Sequence, residues 1–443
     1  MRKAPLTSNP SLSTKPIIAC GARFLALLAA IVPAALGCGG GGESAVDPRR
    51  PPPVPVASVI VSPPTANIVA GSTVTLAAIL KAADGSILSD RPVVWNSGDT
   101  ARVTVSATGQ VTTWRPCTVS VTATSEGRTG TALITAVASA PLTWSSVYSG
   151  VSTSLNSVWG SGPTDVFVVG DTGTIIHYDG TGWHTMASGT RRALRKVWGT
   201  SANSVYAVGD AGTMLRYDGV IWTTIPSDTT KTNYAVWGNS ASDIYVVQSG
   251  GLIHYNGATW SRVAEFDVRD NVLYDIWGTS ATDIYAVGLG ESPLVSPTTA
   301  GATFHYDGRT WTKVDQTDAF LVSVWGVAGR DIFTVGARTF PNIGAGRLRR
   351  FDGTMWRNVG EETASNSLNG VWGSAVADVY AVGDFATIVH FDGATWKNIQ
   401  GGFASARTPT ALMALVPLRA IWGSSASDVY AVGLKGSILR GTP

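Results

Sequence analysis

Leu155-Asn156-Ser157-Val158-Trp159-Gly160 is followed by Asp165-Val166-Phe167-Val168-Val169-Gly170, and then by Thr174-Ile175-Ile176-His177-Tyr178-Asp179-Gly180. The first phrase, Leu-x-x-Val-Trp-Gly, returns down the chain with its tryptophan at Trp159, Trp198, Trp237, Trp277, Trp325, Trp372 and Trp422, at intervals of 39 to 50 residues. The apolar run and the third phrase return with it, and six units add a second tryptophan: Trp183, Trp222, Trp260, Trp311, Trp356 and Trp396. Short β-branched and aromatic runs separated by turn residues read as strands, and helical spacing is nowhere sustained. Each unit therefore predicts four strands. One such sheet cannot bury both its apolar faces, whereas seven packed face to face around an axis can.

The two ends of the repeat decide between a closed ring and an open row of sheets. The seventh unit stops at Gly436-Ser437-Ile438-Leu439-Arg440, with no tryptophan-bearing fourth strand before Pro443. Ahead of the first unit stands Leu142-Thr143-Trp144-Ser145-Ser146-Val147-Tyr148-Ser149-Gly150, which matches a fourth strand such as Gly182-Trp183-His184-Thr185-Met186. Pairing the spare strand with the incomplete sheet removes a free edge and ties the ends together. The expected fold is all-β, with a seven-bladed β-propeller over residues 141–443 closed by residues 142–148.

Upstream, residues 56–138 carry Val59-Ile60-Val61, Thr73 to Leu80, Val93-Val94-Trp95, Val103-Thr104-Val105, Val119 to Thr124 and Leu133 to Val137, punctuated by Asp84-Gly85, Ser97-Gly98 and Thr108-Gly109. This density of short strands predicts a small sandwich. Ile60-Val61-Ser62-Pro63, Gly71-Ser72-Thr73-Val74-Thr75-Leu76, Trp95-Asn96-Ser97, and Val103-Thr104-Val105 leading to Gly109-Gln110-Val111-Thr112 resemble the bacterial Ig-like domain of group 2. The propeller is thus preceded by a small Ig-like β-sandwich, with Trp95 expected in its core. Arg115-Pro116-Cys117 departs from the family, which has a glycine before its penultimate strand. The resemblance implies a spacer or adhesion module.

The N-terminus reads as an export signal. Arg2, Lys3, Lys15 and Arg23 precede the apolar run Phe24 to Leu36, which is too short to span a bilayer as a mature helix. Ala35-Leu36-Gly37-Cys38 resembles the lipobox of bacterial lipoproteins. That resemblance implies removal of residues 1–37 and a lipid on Cys38, hence a membrane partner through the anchor. Gly39 lacks the aspartate that retains lipoproteins in an inner membrane, which points to the outer membrane or cell surface of the bacterial envelope. Residues 38–55 then form a tether, flexible at Gly39 to Gly42 and stiffened by Pro48, Pro51, Pro52, Pro53 and Pro55.

Charge and cysteine use exclude several function classes. Only 14% of residues are charged, against about 25% in an average domain. Loss of the leader removes four basic residues and no acidic ones, leaving 28 basic and 30 acidic. A chain this close to neutral has no electrostatic reason to bind nucleic acid. Of Cys20, Cys38 and Cys117, only Cys117 remains unmodified in the mature chain, so neither a disulfide nor a Cys-based zinc site is expected. No cofactor and no catalytic residue is assigned.

The phrase Val169-Gly170-Asp171-Thr172-Gly173-Thr174-Ile175, its counterpart at 208–214, and the later Asp-Gly and Trp resemble the Asp-box, bacterial neuraminidase-like propellers and the photosystem-assembly type. Asp218-Gly219-Val220-Ile221-Trp222 spaces its residues differently from the Asp-box, so no family activity carries over. His177, His254, His305 and His390 recur at one strand position, which Arg216, Arg350 and Arg440 fill elsewhere, and so read as parts of the repeat rather than as metal ligands. The aspartate before the second strand (Asp165, Asp243, Asp283, Asp331, Asp378, Asp428; Ser204 in the second unit) is expected to hold turn amides.

Irregular lengths point to a recognition surface. Extra residues fall between the second and third strands of units four and five, and at Gly401 to Pro417. In a meander these connections emerge on one side, and binding residues concentrate on such loops. Glu291, Arg338, Phe340, Asn342, Phe403 and Arg407 are the candidate ligand surface. The expected function is an exported, lipid-anchored binding protein that recognises a protein or glycan through one propeller face. The alternatives are a carbohydrate-active enzyme on that face, either glycoside hydrolase or lyase, and a periplasmic assembly factor.

Overall fold

The structure, a computed structural model, describes residues 53–227, 229–266, 272–290, 300–327, 330–338, 344–399 and 416–443. Among the described residues, regular structure consists of strands and short 3-10 turns, and no helix is long and apolar enough to cross a membrane.

The first folded region is a β-sandwich. Thr65–Val69 pairs in parallel with Arg128–Val137, which continues antiparallel to Cys117–Ser125 and on to Val94–Ser97. Ser58–Ser62, Ala77–Lys81 and Ile87–Leu88 form a second sheet. Strict alternation along Cys117–Ser125 sends Val119, Val121 and Ala123 inward, where they meet Val61, Leu76, Leu80, Val103, Val111 and Ile134. Trp95 packs against this core, and Cys117 is a free thiol.

The second region is a ring of seven four-stranded antiparallel sheets. The first blade runs Leu155–Gly162, Asp165–Gly170, Ile175–Tyr178 and Trp183–Met186, from inner to outer strand. The inner-strand tryptophans interlock neighbouring blades. Trp159 lies where a Cβ on Gly199 would stand, and Trp198 does the same at Gly238, Trp237 at Gly278, Trp325 at Gly373, Trp372 at Gly423 and Trp422 at Gly160. The Trp-Gly dipeptide is therefore a plug and a socket: each indole enters the space opened by the glycine of the next blade. The fourth blade departs from this rule, because Trp277 instead meets Trp325 at 6.4 Å between ring centroids. The second strands are buried on both faces, which explains their continuous apolar runs, as at Ser204–Gly209 and Asp428–Gly433.

Thr143–Val147 pairs antiparallel with Ile438–Thr442, placing Trp144 opposite Gly441 and Val147 opposite Ile438. The last sheet is thus built from both ends of the propeller sequence. Trp144 also packs edge-on against Tyr380 of the sixth blade, with centroids 5.9 Å apart.

The sandwich docks on the sixth blade. Ala70 and Ala136 pack against Ala377, and a Cβ on Gly71 would stand 2.5 Å from Ala375 Cβ. Ser139 Oγ donates to the Ala377 carbonyl at 3.1 Å, and the Leu142 amide donates to Tyr380 Oη at 3.3 Å. Ala375 to Ala377 join the first and second strands of their blade, so the sandwich occupies the ring face that carries those turns.

Candidate functional site

The repeat aspartates and histidines form one structural device. Nε2 of His177 lies 2.6 Å from Asp165 Oδ1, that of His254 2.7 Å from Asp243, that of His305 2.9 Å from Asp283, and that of His390 2.7 Å from Asp378. Arg350 and Arg440 take the histidine's place against Asp331 and Asp428. Each imidazole stacks on the aromatic ring of the second strand, as His390 does on Tyr380 with centroids 4.2 Å apart. The turn-amide role expected of these aspartates is corrected: their carboxylates bind a ring or guanidinium on the third strand, and in several blades a hydroxyl such as Ser161 Oγ or Ser374 Oγ. The Asp-Gly after the third strand is the true amide-holding turn. Asp352, for example, accepts from the amides of Thr354 and Met355 at 3.0 Å each. Among the described residues no three His, Cys, Asp or Glu side chains converge as a metal site would require.

The variable part of the repeat lies elsewhere. In Leu-x-x-Val-Trp-Gly, the apolar residues and the glycine are fixed by packing. A register shift in every inner strand leaves the first x residue unpaired, and both x positions line the ring axis. A cavity of about 340 Å³ runs along that axis. An ion pair crosses it, Lys196 Nζ to Asp275 Oδ1 at 2.7 Å, reaching from the second blade to the fourth. Asp275 Oδ2 also accepts the Val324 amide at 3.2 Å, and Ser157 Oγ accepts the Val197 amide at the same distance. These contacts link one inner strand to the next.

The first x of each blade forms the mouth: Asn156, Arg195, Tyr234, Tyr274, Val322, Asn369 and Arg419. It opens into a vestibule of about 530 Å³ that Asp384, Pro417 and Leu434 help to line. Turn aspartates hold this rim. Arg195 Nε donates to Asp210 Oδ1 at 2.5 Å and Nη2 to Oδ2 at 3.1 Å. Asn156 Nδ2 reaches Asp171 at 2.9 Å, and Asn369 Nδ2 reaches Asp384 at 3.0 Å. The seventh blade has Leu434 in place of that aspartate, and its Arg419 donates instead to Asn156 Oδ1 of the first blade. Tyr234 and Tyr274 meet edge to face at 5.6 Å, with the Arg195 guanidinium 5.9 Å from the Tyr234 ring centre. Burial raises the Tyr274 hydroxyl above the ordinary tyrosine range, with the Tyr234 hydroxyl adding to the effect, so it stays neutral and able to donate.

Of the residues expected to form a ligand surface, Arg338 is described. It ends the second strand of the fifth blade and is tied down: Nη2 reaches Glu361 Oε2 at 2.8 Å, and Glu361 also holds the buried Arg347, whose other arm meets Asp318. Glu291, Phe340, Asn342, Phe403 and Arg407 lie outside the described residues, as does Cys38. The mouth lies on the face carrying the connections between second and third strands, the face those loops were assigned to. The signal for these residues in sequence is their variation: asparagine, arginine, tyrosine and valine share the position inside a phrase that otherwise repeats.

The molecule is a β-propeller joined to an Ig-like module. Residues 55–136 match the family model of the bacterial Ig-like domain (group 2). Among solved structures, YCF48 from Cyanidioschyzon merolae is similar over 69% of this chain and 99% of its own, at 13% identity and a TM-score of 0.52. YCF48 bound to D1 peptide is similar over 70% and 100%, at 14% identity and a TM-score of 0.50. The extracellular domain of the putative hybrid two component system BT4673 from B. thetaiotaomicron is similar over 67% of this chain and 39% of its own, at 14% identity and a TM-score of 0.52. At these identities the likeness is one of fold. No curated protein matches the chain in sequence.

Proposed function

We propose that this protein is an exported, lipid-anchored binding protein of the bacterial cell envelope, which grips a protein or glycan through the propeller face bearing the axial mouth. The observation that carries the reading is the rim from Asn156 to Arg419: seven positions filled by four residue types, on a frame that otherwise repeats, opening onto one vestibule. Packing explains the repeated residues, and recognition explains the varied ones. The sandwich docked at Ala377 occupies the opposite face, which leaves the mouth side for a partner. A solved protein of this fold is bound to a peptide and another is an extracellular domain, and both support the reading. Arg338 belongs to the same proposed surface, to which Glu291, Phe340, Asn342, Phe403 and Arg407 are assigned by their positions in the sequence alone.

The anchor is Cys38, after Ala35-Leu36-Gly37, and a proline-rich tether follows it in sequence. Two measurements test the proposal. Cys38→Ala should move the protein from the membrane to the soluble fraction; unchanged membrane association defeats the anchor. Replacing residues 291–299, 339–343 and 401–415 by short turns, together with Arg419→Ala, should abolish retention of envelope glycans and proteins. Retention that survives both changes defeats the assigned face.

A further inference from the structure

We propose that the axial mouth seats a neutral saccharide unit, an assignment that rests on the mouth being the binding site. Of the cations along the funnel, Arg195 and Lys196 already have acidic partners, whereas Arg419 has none among the described residues. Arg195 is clasped by Asp210, and Lys196 by Asp275. A ligand carrying several like charges would find one cation, Arg419, without a carboxylate, and would otherwise have to compete with these pairs.

Apart from the Arg419 guanidinium, what the mouth leaves open is neutral. The hydroxyls of Tyr234 and Tyr274 and the Oδ1 of Asn369 have no partner among the described residues, and Arg419 uses one arm on Asn156. Donors and acceptors are thus spread around one opening beside two aromatic rings. A pyranose presents hydroxyls around its edge and apolar C–H groups on its faces, which this combination matches. The axial cavity of about 340 Å³ lies within the range of small-ligand sites, roughly 300–1,000 Å³. An extended peptide is held by a run of backbone partners along one strand edge. Here each of seven strands contributes one side chain to the rim, so no single edge runs along it.

The test presents the full chain to arrays of neutral oligosaccharides, acidic oligosaccharides and peptides, beside Tyr234→Ala, Tyr274→Ala, Tyr274→Phe and Val322→Trp. Melting curves identify variants that fold. Neutral saccharides should be retained, at least about tenfold more weakly by either alanine variant, the scale of one lost aromatic contact with its hydrogen bond. Val322→Trp, which adds bulk to the rim and keeps both tyrosines, should abolish retention even if an alanine variant fails to fold. Retention of acidic saccharides alone, or of peptides alone, that is lost in Val322→Trp overturns the saccharide assignment and keeps the mouth as the site. Retention indifferent to Val322→Trp overturns both. An array that retains nothing overturns the saccharide assignment.

Discussion

The indole of Trp422, in the last blade, fills the space that a side chain on Gly160, in the first, would need: a Cβ there would stand 2.6 Å from Trp422 Cη2 and 2.5 Å from the Asp165 carbonyl oxygen. The same plug-and-socket contact joins blades that are neighbours in sequence, so its presence here closes the ring. Gly160→Ala should destabilise the protein by about 1–3 kcal/mol, the usual cost of forcing a group into a packed interior. Gly162→Ala, two residues on with open space around it, should be close to neutral. Chemical denaturation of the two variants checks this, and equal effects would remove the steric account of the Trp-Gly phrase.

Trp144 tests the other half of closure. It is nearly buried against Tyr380 and Gly441, although it lies close to 300 residues from the strand it completes. Trp144→Ala should cost about 3–5 kcal/mol, the range for truncating a large buried aromatic. Tyr148→Ala, four residues away and 87% exposed, should change stability little. A small effect at Trp144 in a melting experiment would mean that the terminal strand is not holding the ring shut.

The second blade lacks the carboxylate that its siblings share. Ser204 stands in its place, with a buried hydroxyl that has no hydrogen-bond partner among the described residues, and the matching third-strand residue Arg216 is exposed. Arg350 and Arg440 meet Asp331 and Asp428 at that register. Ser204→Asp should recreate the pair and stabilise the protein by about 0.2–1 kcal/mol, the range for a pair open to solvent on one side. In an Arg216→Ala background the same aspartate has no cation and should destabilise. A double-mutant cycle with no coupling between the two sites would show that the pair does not form.

Acid stability should depend on the Asp-Gly turns. The Thr354 hydroxyl and the Met355 amide hold Asp352 down to about 2, and hydrogen bonds from turn residues lower Asp179, Asp218 and Asp307 as well. Burial raises Asp392, but Lys397 and the amides of Thr395 and Ala394 outweigh it and bring it to about 2. Each of these carboxyls binds its proton more weakly in the folded state. Their contribution is therefore present above the unfolded carboxylate value near 4 and is lost as pH falls from about 4 through about 2. Melting temperature should drop across that window, and Asp352→Asn combined with Asp392→Asn should flatten the drop. A drop of equal steepness in the double variant would assign the acid sensitivity elsewhere.

Much of the site was hidden for a reason visible in individual residues. Lys196 and Asp275 stand 79 positions apart, one in the second blade and one in the fourth, with Ala235 between them in the third. Nothing local connects them, because their 2.7 Å contact crosses the ring axis. The histidines were legible only as members of a repeat. Their partners, the aspartates of the adjacent strand, were read as turn residues because an aspartate at a strand start serves either purpose equally well in sequence. The structure separated the two uses: Asp378 binds His390, whereas Asp392 binds the turn amides.

The one-dimensional pattern of this protein determined its blade count, its four-strand unit and its Ig-like module, since strand, turn and repeat signals are local and recur. It also pointed to the joining of the two ends, because a sheet one strand short and a strand without a sheet are both visible in the text of the chain. Tertiary structure alone decided which side chains share the axis, which blade the sandwich covers and how Arg419 comes to serve the first blade. Those relations depend on the curvature that brings residue 156 beside residue 419, and curvature is the sum of seven packed interfaces rather than a property of any one of them.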